Sequence, residues 1–325
     1  MPYSRIARIA GRDCTSLCAV FVHTELECTI IVRCIHSLCC FAKTYSTDKV
    51  EWRAMIDRYA VFGHPIAHSK SPDIHAAFAR QTGQVLSYEA ILAPLDGFIA
   101  SVTHFRETGG CGANITVPFK QQAYNWCHQR TPRAEVAGAV NTVMFKNHTV
   151  LGDNTDGAGL ITDLQQNLQF VIAQKRVLLL GAGGAAHGVI GPLLACAPAH
   201  LVITNRTVER ARELAAHFQQ ARLPTVEACG LNDLNEPFDL IINATAASLG
   251  GELPIVSSRI FKTTSLAYDM MYGKTMTPFL VWAQQHGAQT ADGLGMLVEQ
   301  AAEAFFLWRG IRPDTQAVMA ALRAD

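Results

Sequence analysis

From about residue 55 onward, short apolar runs alternate with longer stretches in which apolar residues recur every three to four positions. The short runs predict buried strands, and the longer stretches predict amphipathic helices. Strands are predicted at 58–62, 113–117, 177–180, 201–204, 240–243 and 265–268, and helices at 208–220, 277–286 and 295–308. Strands that alternate with helices in this way are typical of an α/β protein with parallel strands.

The first 54 residues do not follow this pattern. They show no clear helical or strand period, and charged residues such as Glu25 and Arg33 interrupt the apolar run that a secretory signal would need. Five acidic residues in the segment also argue against a transit peptide. We therefore expect residues 1–54 to be disordered, or to result from a start codon assigned too far upstream, and the folded chain to begin near Met55.

Composition and charge exclude several classes of protein. The 325 residues, 49% hydrophobic and 17% charged, are enough for two domains with sizeable cores. The 27 basic and 27 acidic residues balance, whereas a nucleic-acid or anionic-membrane partner calls for a basic excess. No apolar run is long enough to span a membrane. The sequence thus predicts a soluble protein with neither nucleic-acid nor membrane partners.

The ten cysteines are unevenly placed, with six in the first 40 residues and four scattered singly afterwards. Scattered single cysteines suit a reducing cytoplasm, where they act as small core residues. The spacing of the first six lacks the closely paired ligands of a structural zinc site. We expect a cytoplasmic protein without a metal centre.

A glycine-rich turn follows the strand predicted at 177–180. Gly181 permits a tight turn, Gly183 allows the backbone to approach a pyrophosphate, and the small Ala186 lets the next helix pack close to the strand. A second strand follows about 20 residues later, as the dinucleotide-binding motif requires. An ordinary tight turn is the alternative, but the complete strand–turn–helix order favours a dinucleotide site.

The end of that second strand bears on which dinucleotide binds. An acidic residue there would accept the ribose hydroxyl of NAD, but the chain has Asn205, Arg206 and Thr207, with Arg210 one turn later. A guanidinium can pair with the 2′-phosphate of NADP. We therefore favour NADP, although both arginines could instead belong to a solvated helix face.

Polar motifs upstream of the turn suggest a substrate site. Ser69 and Ser71 alternate along a loop and could bind a carboxylate or a polyol, but Ser71 could equally cap a helix that begins at Pro72. In the predicted strand 113–117, Asn114 and Thr116 lie on one face, with Lys120 just beyond the strand's end. The segments 138–142 and 152–157 supply further amide, hydroxyl and carboxylate groups.

Taken together and in order, these motifs resemble the shikimate dehydrogenase family from about Tyr59 almost to the C-terminus. The resemblance rests on Ser-x-Ser, Asn-x-Thr-x-Pro-x-Lys, Ala-Val-Asn-Thr, Gly-Asp-Asn-Thr-Asp-Gly, Gly-Ala-Gly-Gly-Ala, Asn-Arg-Thr, Asp-Met-Met-Tyr and Asp-Gly-Leu-Gly-Met-Leu-Val-Glu-Gln. Residues 1–54 have no counterpart in the family, which supports the boundary near Met55.

The resemblance implies reversible, NADPH-dependent reduction of 3-dehydroshikimate to shikimate, a step of aromatic amino acid and chorismate biosynthesis. It implies that Lys120 and Asp156 form the catalytic pair. The implied substrate contacts are Ser69, Ser71, Asn114, Thr116, Asn141, Tyr272 and Gln300. The implied cofactor contacts are Gly181, Ala182, Gly183, Gly184, Ala185, Asn205, Arg206, Thr207, Arg210, Met270 and Gly293.

These residue types suit the implied reaction. Hydride arriving at a carbonyl carbon leaves negative charge on oxygen, which Lys120 could stabilise and protonate while Asp156 orients the lysine. The plainer alternatives are an ordinary ion pair for Lys120 and Asp156, a core aromatic role for Tyr272 and a solvent-facing Gln300. Two positions depart from the family, since Ala246 replaces a usual serine and Pro132–Arg133 stand where an acidic residue often occurs.

The expected architecture has two α/β domains with a cleft between them. A substrate domain at 55–156 would be completed by C-terminal helices at 291–325, and residues 157–290 would form a Rossmann-like, doubly wound parallel sheet that binds NADP. A homodimer is possible. Two rival functions remain, an NAD-preferring quinate/shikimate dehydrogenase and, less expected, a non-catalytic sensor of shikimate or quinate. An acidic residue after the strand at 201–204 would favour the NAD-preferring enzyme. Loss of Lys120 or Asp156 would favour the sensor.

Overall fold

The computed structural model describes residues 17–24, 27–34, 41–45, 56–146, 148–220, 226–245 and 256–324. The chain divides into two compact units, Met1–Met55 and Ile56–Asp325. None of the described helices combines the length and the apolar character that a membrane span requires.

The first unit contains three strands, β1 (Leu17–Thr24), β2 (Glu27–Cys34) and β3 (Phe41–Tyr45). They form an antiparallel sheet in the order β1-β2-β3. This differs from the expected lack of regular structure in residues 1–54. The strands are rich in Val, Ile, Thr and Phe, which favour a pleated conformation even without a strict alternation of polar and apolar residues. The start of the folded chain near Met55 stays a prediction.

The second unit opens with a mixed six-stranded sheet. Its strands, β4 (Asp57–Gly63), β5 (Leu86–Leu92), β6 (Gly110–Ile115), β7 (Gln129–Arg130), β8 (Thr142–Lys146) and β9 (Thr149–Asp153), lie in the order β5-β4-β6-β8-β9-β7. Strand β4 pairs in parallel with both β5 and β6, whereas β8 is antiparallel to both β6 and β9. Four helices accompany this sheet: α1 (Ser71–Thr82), α2 (Phe98–Glu107), α3 (Lys120–Trp126) and α4 (Pro132–Ala137).

A second six-stranded sheet is entirely parallel. Its strands are β10 (Arg176–Leu180), β11 (His200–Thr204), β12 (Val226–Cys229), β13 (Leu240–Asn243), β14 (Leu266–Asp269) and β15 (Gln289–Asp292), in the order β12-β11-β10-β13-β14-β15. Helices α6 (Gly184–Ala195), α7 (Val208–Gln220) and α8 (Pro278–Gln285) follow β10, β11 and β14. The order reverses between β10 and β13, as in a doubly wound dinucleotide-binding sheet.

The central strands of this parallel sheet are buried on both faces. Val177 and Leu179 of β10 belong to one apolar cluster, and Leu178 and Leu180 belong to another on the opposite face. Continuous apolar runs are expected where helices cover both sides of a parallel sheet. The sequence predictions for 177–180, 201–204 and 240–243 therefore agree with the observed strands to within one residue.

The helix α5 (Asp156–Thr162) leads from the mixed six-stranded sheet to the parallel sheet, and α9 (Leu294–Arg309) and α10 (Gln316–Ala324) are the last two helices of the chain. Two glycines allow α5 to pack tightly. A Cβ atom at Gly157 would lie 2.6 Å from the Gly188 carbonyl oxygen of α6, and one at Gly159 would lie 2.7 Å from the backbone nitrogen of Gln300 in α9. Helix α5 is thus held between a helix of the second sheet and the long C-terminal helix.

The predicted fold class, two α/β domains with a Rossmann-like parallel sheet, is confirmed, but one local expectation and one alternative are not what is found. Strand β6 ends at Ile115, so Asn114 and Thr116 do not share a strand face. The chain turns there, with Phe119 N–H donating to the Thr116 carbonyl at 3.0 Å, and Pro118 has no N–H to continue the sheet. Helix α1 is capped by Lys70, so Ser71 is its first residue and not its N-cap.

Candidate active site

The structure brings Lys120 and Asp156 into direct contact. Lys120 is the first residue of α3 and Asp156 the first of α5. The Lys120 Nζ lies 2.5 Å from Asp156 Oδ2, and the two side chains are only 13% and 8% exposed. The two groups that were predicted to cooperate therefore form a largely buried ion pair.

Asn141 holds the other oxygen of the same carboxylate. Its Nδ2 donates to Asp156 Oδ1 at 2.7 Å and to Thr155 Oγ1 at 3.0 Å, while its Oδ1 accepts from Thr155 N at 2.8 Å. Gln300 reaches the same cluster, with its Oε1 3.4 Å from Asn141 Nδ2. Gln300 therefore faces the site, and the alternative that it simply faces solvent is not what is found.

A hydrogen-bonded path continues from Asn141 to Asn114. Thr142 Oγ1 donates to Asn141 Oδ1 at 2.9 Å and accepts from Asn114 Nδ2 at 3.0 Å. The Tyr88 hydroxyl donates to Asn114 Oδ1 at 2.7 Å. Tyr88 is not among the predicted site residues because strand β5 was not predicted, although the alternation of apolar and polar residues along 86–92 is a usable signal for a strand.

The serine loop lies at the far end of this path. Ser69 Oγ accepts a hydrogen bond from Ser71 N at 3.3 Å. Burial raises the pKa of Tyr88 well above its ordinary value, and the nearby Ser71 side chain opposes that shift. Ser71 therefore approaches Tyr88, which in turn contacts Asn114.

Tyr272, which follows strand β14 of the parallel sheet, lies near the loop that carries Ser69 and Ser71 (the serine loop). Burial raises the pKa of its phenol, and the nearby backbone of Lys70 opposes the shift. With His68 and Lys70, Tyr272 lines a cavity of about 920 Å³. Among the described residues no direct hydrogen bond joins Tyr272 to Lys120 or Asp156, so it belongs to the serine-loop end of the site.

The glycine-rich turn has the geometry that a pyrophosphate needs. Gly181 has φ 111°, and its N–H donates to the Thr204 carbonyl at 2.7 Å. A Cβ at Gly183 or Gly184 would meet no atom within 4 Å, so the start of α6 faces open space. Free N–H groups at a helix N-terminus bind phosphates, and these residues therefore fit a dinucleotide.

Gly183, Gly184 and Lys120 line one cavity, so the predicted cofactor turn and the predicted catalytic lysine lie together. This cavity of about 550 Å³ is lined by Lys120, Ala182, Gly183, Gly184 and Arg210, among others. Arg210 is exposed and forms no ion pair among the described residues. It therefore offers a cation without an ion-pair partner on the wall of this cavity, which Glu213 also lines.

The remaining predicted cofactor residues lie at the carboxyl ends of the parallel strands. Asn205 Nδ2 donates to the Thr207 carbonyl at 2.9 Å, which folds the loop after β11. Arg206 is exposed but does not line the cavity that contains Arg210. Met270 and Gly293 follow β14 and β15 and are packed against each other, with no room for a Cβ at Gly293.

Arg133, one of the departures from the family pattern, has a structural contact. Its Nε and a terminal nitrogen bind the two oxygens of Asp153 at 2.6 and 2.7 Å, and its other terminal nitrogen binds Glu303 at 2.9 Å. It thereby ties the end of β9, just before Asp156, to helix α9. Ala246, the other departure, lies outside the described residues.

Two histidines that sequence analysis did not single out also line the dinucleotide cavity. His187 of α6 contacts the Ala137 carbonyl at 3.1 Å through Nδ1, and His217 of α7 contacts the Val136 carbonyl at 2.9 Å through Nε2. Both carbonyls belong to the last turn of α4, which leads to Asn141. Burial lowers the pKa of His187.

A doubly wound parallel sheet, an open glycine turn at its switch point and a buried lysine–aspartate pair beside that turn are together typical of a dinucleotide-dependent oxidoreductase. The chain belongs to the shikimate dehydrogenase family. Residues 61–143 match the family's substrate binding domain, 163–266 match shikimate/quinate 5-dehydrogenase, and 293–323 match the shikimate 5′-dehydrogenase C-terminal domain.

Individual relatives agree with this assignment. The NADP(+) shikimate dehydrogenase of Herminiimonas arsenicoxydans is 58% identical over 271 residues, which cover 83% of this chain and 98% of that protein. That of Aromatoleum aromaticum is 59% identical over 272 residues, covering 82% and 97%.

Solved structures agree as well. An Ael1 enzyme from Pseudomonas putida is similar with a TM-score of 0.77 and 45% identity, covering 82% of this chain and 98% of that one. The shikimate 5-dehydrogenase of Thermus thermophilus, crystallised with NADP(H) and shikimate, has a TM-score of 0.75 and 33% identity, covering 83% and 99%.

Proposed function

We propose that this chain catalyses the reversible, NADP-dependent interconversion of shikimate and 3-dehydroshikimate, with Lys120 and Asp156 as its catalytic pair. One observation carries the assignment of the pair. Lys120, in contact with Asp156, lines the same cavity as the open glycine turn at Gly183 and Gly184. A reacting group held by Lys120 would therefore lie within reach of a dinucleotide seated on that turn.

The residues of the second sheet fit NADP. When bound, NADP supplies or accepts the hydride. The N–H groups at the start of α6 would hold its pyrophosphate, with Gly181, Ala182 and Ala185 shaping the turn. Arg210, with Arg206, Asn205 and Thr207, would hold the 2′-phosphate, while Met270 and Gly293 would border the nicotinamide.

In the direction of reduction, the carbonyl of 3-dehydroshikimate gains a hydride at carbon and a proton at oxygen, giving the alcohol of shikimate. The negative charge that develops on the oxygen needs a positioned cation. The Lys120 ammonium would stabilise it and donate the proton. Asp156, fixed by Asn141 and by the start of α5, would hold Lys120 in place and accept a hydrogen bond from a neighbouring substrate hydroxyl.

The remaining polar groups suit a polyol carboxylate. Ser69, Ser71 and Tyr272 form one end of the site and would bind the carboxylate. Asn114, Thr116, Asn141 and Gln300 would bind the ring hydroxyls. A polyol needs several convergent hydrogen bonds to fix which of its faces meets the hydride, and the path from Ser71 to Asp156 supplies them.

The test is a steady-state assay of the full chain with shikimate or quinate and each oxidised dinucleotide, following reduced nicotinamide by absorbance. We expect turnover of shikimate with NADP and a clear preference for NADP over NAD. Absence of turnover would refute the assignment. A preference for NAD, or for quinate, would instead support the rival quinate/shikimate dehydrogenase, and binding without turnover would support a sensor.

The domain limits, partners and location are proposed on the same basis. A substrate domain at 55–156, completed by 291–325, and an NADP domain at 157–290 are consistent with the two sheets. The scattered single cysteines of the chain support a cytoplasmic enzyme, and its balanced charge argues against nucleic-acid and anionic-membrane partners. A homodimer would appear as twice the chain mass in light scattering.

A further inference from the structure

His75 occupies a place in the core that packing alone does not explain. It lies on α1 and is 1% exposed, and neither nitrogen of its ring has a hydrogen-bond partner among the described residues. The ring stacks on Tyr88 with centroids 4.2 Å apart and planes 9° from parallel, and Phe78, Phe305 and Trp308 surround it.

A phenyl ring would fill this aromatic cluster without any unsatisfied polar atom. Leaving a buried donor or acceptor unpaired costs about 1–3 kcal/mol. The imidazole therefore calls for a second state of the site in which its nitrogens are used.

The polar groups of its neighbours are already engaged. Trp308 Nε1 donates to the Val143 carbonyl at 3.1 Å, and the Tyr88 hydroxyl donates to Asn114. Asn114 Nδ2 in turn donates to Thr142 Oγ1 at 3.0 Å and more weakly to the Asn141 carbonyl at 3.4 Å. Both amide hydrogens of Asn114 are thus already donated to acceptors within the protein.

On the proposed function, Asn114 is also the neighbour that a bound substrate would contact. Burial lowers the pKa of His75 to about 3, and the Asn114 side chain beside it opposes that shift, although no hydrogen bond joins the two here. At neutral pH the imidazole is uncharged, with one nitrogen that accepts and one that donates. It is therefore able to receive an amide N–H.

We propose that His75 is a positioning residue of the substrate site, which receives an N–H of Asn114 when that amide turns towards a bound polyol. This inference rests on the proposed function, in which Asn114 binds a ring hydroxyl. If a substrate hydroxyl turns the Asn114 amide away from Thr142, the Nδ2–H that was donated to Thr142 Oγ1 needs a new acceptor in a buried site. His75 supplies that acceptor and so fixes the orientation in which Asn114 Oδ1 faces the substrate.

The test replaces the imidazole by a ring of similar shape, as His75→Phe in the full chain, and measures both kinetics and thermal stability. We expect KM for shikimate to rise about three- to tenfold, as the loss of one hydrogen bond implies. The kcat and KM for NADP should stay near the wild-type values, and the melting temperature should not fall. A purely structural role would move the melting temperature and leave KM for shikimate alone.

Phe78→Leu is the matched control, because Phe78 lies on the same helix and in the same cluster but has no polar atom. It should lower the melting temperature and leave KM for shikimate unchanged. An equal rise in KM for both variants would show that packing alone matters and would overturn the proposal.

Nitrogen-15 spectra of the histidine rings provide an independent readout, with the His75 signals assigned by their absence from His75→Phe. Added shikimate should shift the acceptor nitrogen of His75, and an unchanged signal in the saturated protein would contradict its role. Wild-type turnover separates the two hypotheses. If wild type oxidises shikimate with NADP and His75→Phe matches it in KM, only the positioning role fails, whereas an inactive wild type refutes the proposed function itself.

Discussion

At the scale of single residues, Lys120 is the group whose removal has the plainest chemical consequence. Lys120→Ala deletes the ammonium that contacts Asp156 and, on the proposed function, the proton donor to the substrate oxygen. We expect kcat to fall by a factor of about 10²–10⁴, the usual contribution of a positioned general acid. Binding of NADPH, measured by its fluorescence, should change little, because the glycine turn is untouched.

Gln121→Ala is the control for that variant, because Gln121 is the next residue on the same cavity wall. It should keep a kcat close to that of wild type. Wild-type turnover by Lys120→Ala would remove the lysine from the proposed mechanism.

On the proposed function, Arg210 should contribute more to the choice of dinucleotide than Arg206, because of these two arginines it is Arg210 that lines the cavity with the glycine turn. Arg210→Ala removes a cation that would pair with the 2′-phosphate. We expect KM for NADP to rise about tenfold, near the low end for a charged hydrogen bond at an exposed site. KM for NAD should not change.

Arg212→Ala provides the comparison, because Arg212 lies on the same helix and pairs with Glu209 at 3.8 Å. It should leave both KM values unchanged. Equal effects of Arg210→Ala on NADP and NAD would show that Arg210 does not bind the 2′-phosphate.

Most of the site's polar residues could be found from the sequence because they fall in short, ordered motifs. Tyr88 and His75 could not, because their importance depends on contacts between distant elements. Tyr88 and Asn114, for example, meet only because β5 and β6 flank β4 in the first sheet.

At the scale of elements, the contact between α6 and the start of α5 is unusually close. A Cβ at Gly188 of α6 would lie 2.9 Å from Asn154 Oδ1 and 3.1 Å from Asp156 Oδ2. Gly188→Ala therefore presses directly on the carboxylate of the catalytic pair. We expect kcat for shikimate to fall. The free energy of unfolding should also fall, by the roughly 1–3 kcal/mol of an overpacked site.

Gly191→Ala tests whether this effect is local. Gly191 is in the same helix, but a Cβ there would first meet the apolar side chain of Val136, with Cγ1 at 3.1 Å, and would not approach Asp156. Its kcat should stay near that of wild type. A similar loss of kcat in both variants would mean that α6 as a whole, and not the contact with Asp156, is responsible.

Elements in which apolar residues recur at a regular spacing could be predicted from the sequence, and elements without such a spacing could not. Helix α7 was predicted at 208–220 and is observed at Val208–Gln220, because its polar and apolar faces are well separated. Strand β7 has only two residues, Gln129–Arg130, and no local pattern that marks it. Its pairing with β9 arises only after the sheet assembles.

At the scale of the whole molecule, His75 makes the folded state sensitive to acid. Its pKa is about 3 in the folded protein, against 6.5 for an ordinary histidine. The unfolded chain therefore binds the proton first as pH falls, and stability present above pH 6.5 is lost towards pH 3. Between pH 8 and pH 5 this single group removes about 2 kcal/mol of unfolding free energy.

Denaturant unfolding of wild type and His75→Phe at both pH values measures this contribution. The variant should lose about 2 kcal/mol less than wild type over that range. Equal losses in the two proteins would show that His75 is not buried in its neutral form.

The position of α5 has a consequence for how the cleft can open. If the two sheets rotate relative to each other, the atoms nearest the axis move least, and α5, wedged by its glycines between α6 and α9, is the natural place for that axis. Asp156 is its first residue. Such a rotation would leave Asp156 near its axis, so that the walls of the cleft could move apart for exchange of the cofactor while the distance between Lys120 and Asp156 stayed the same.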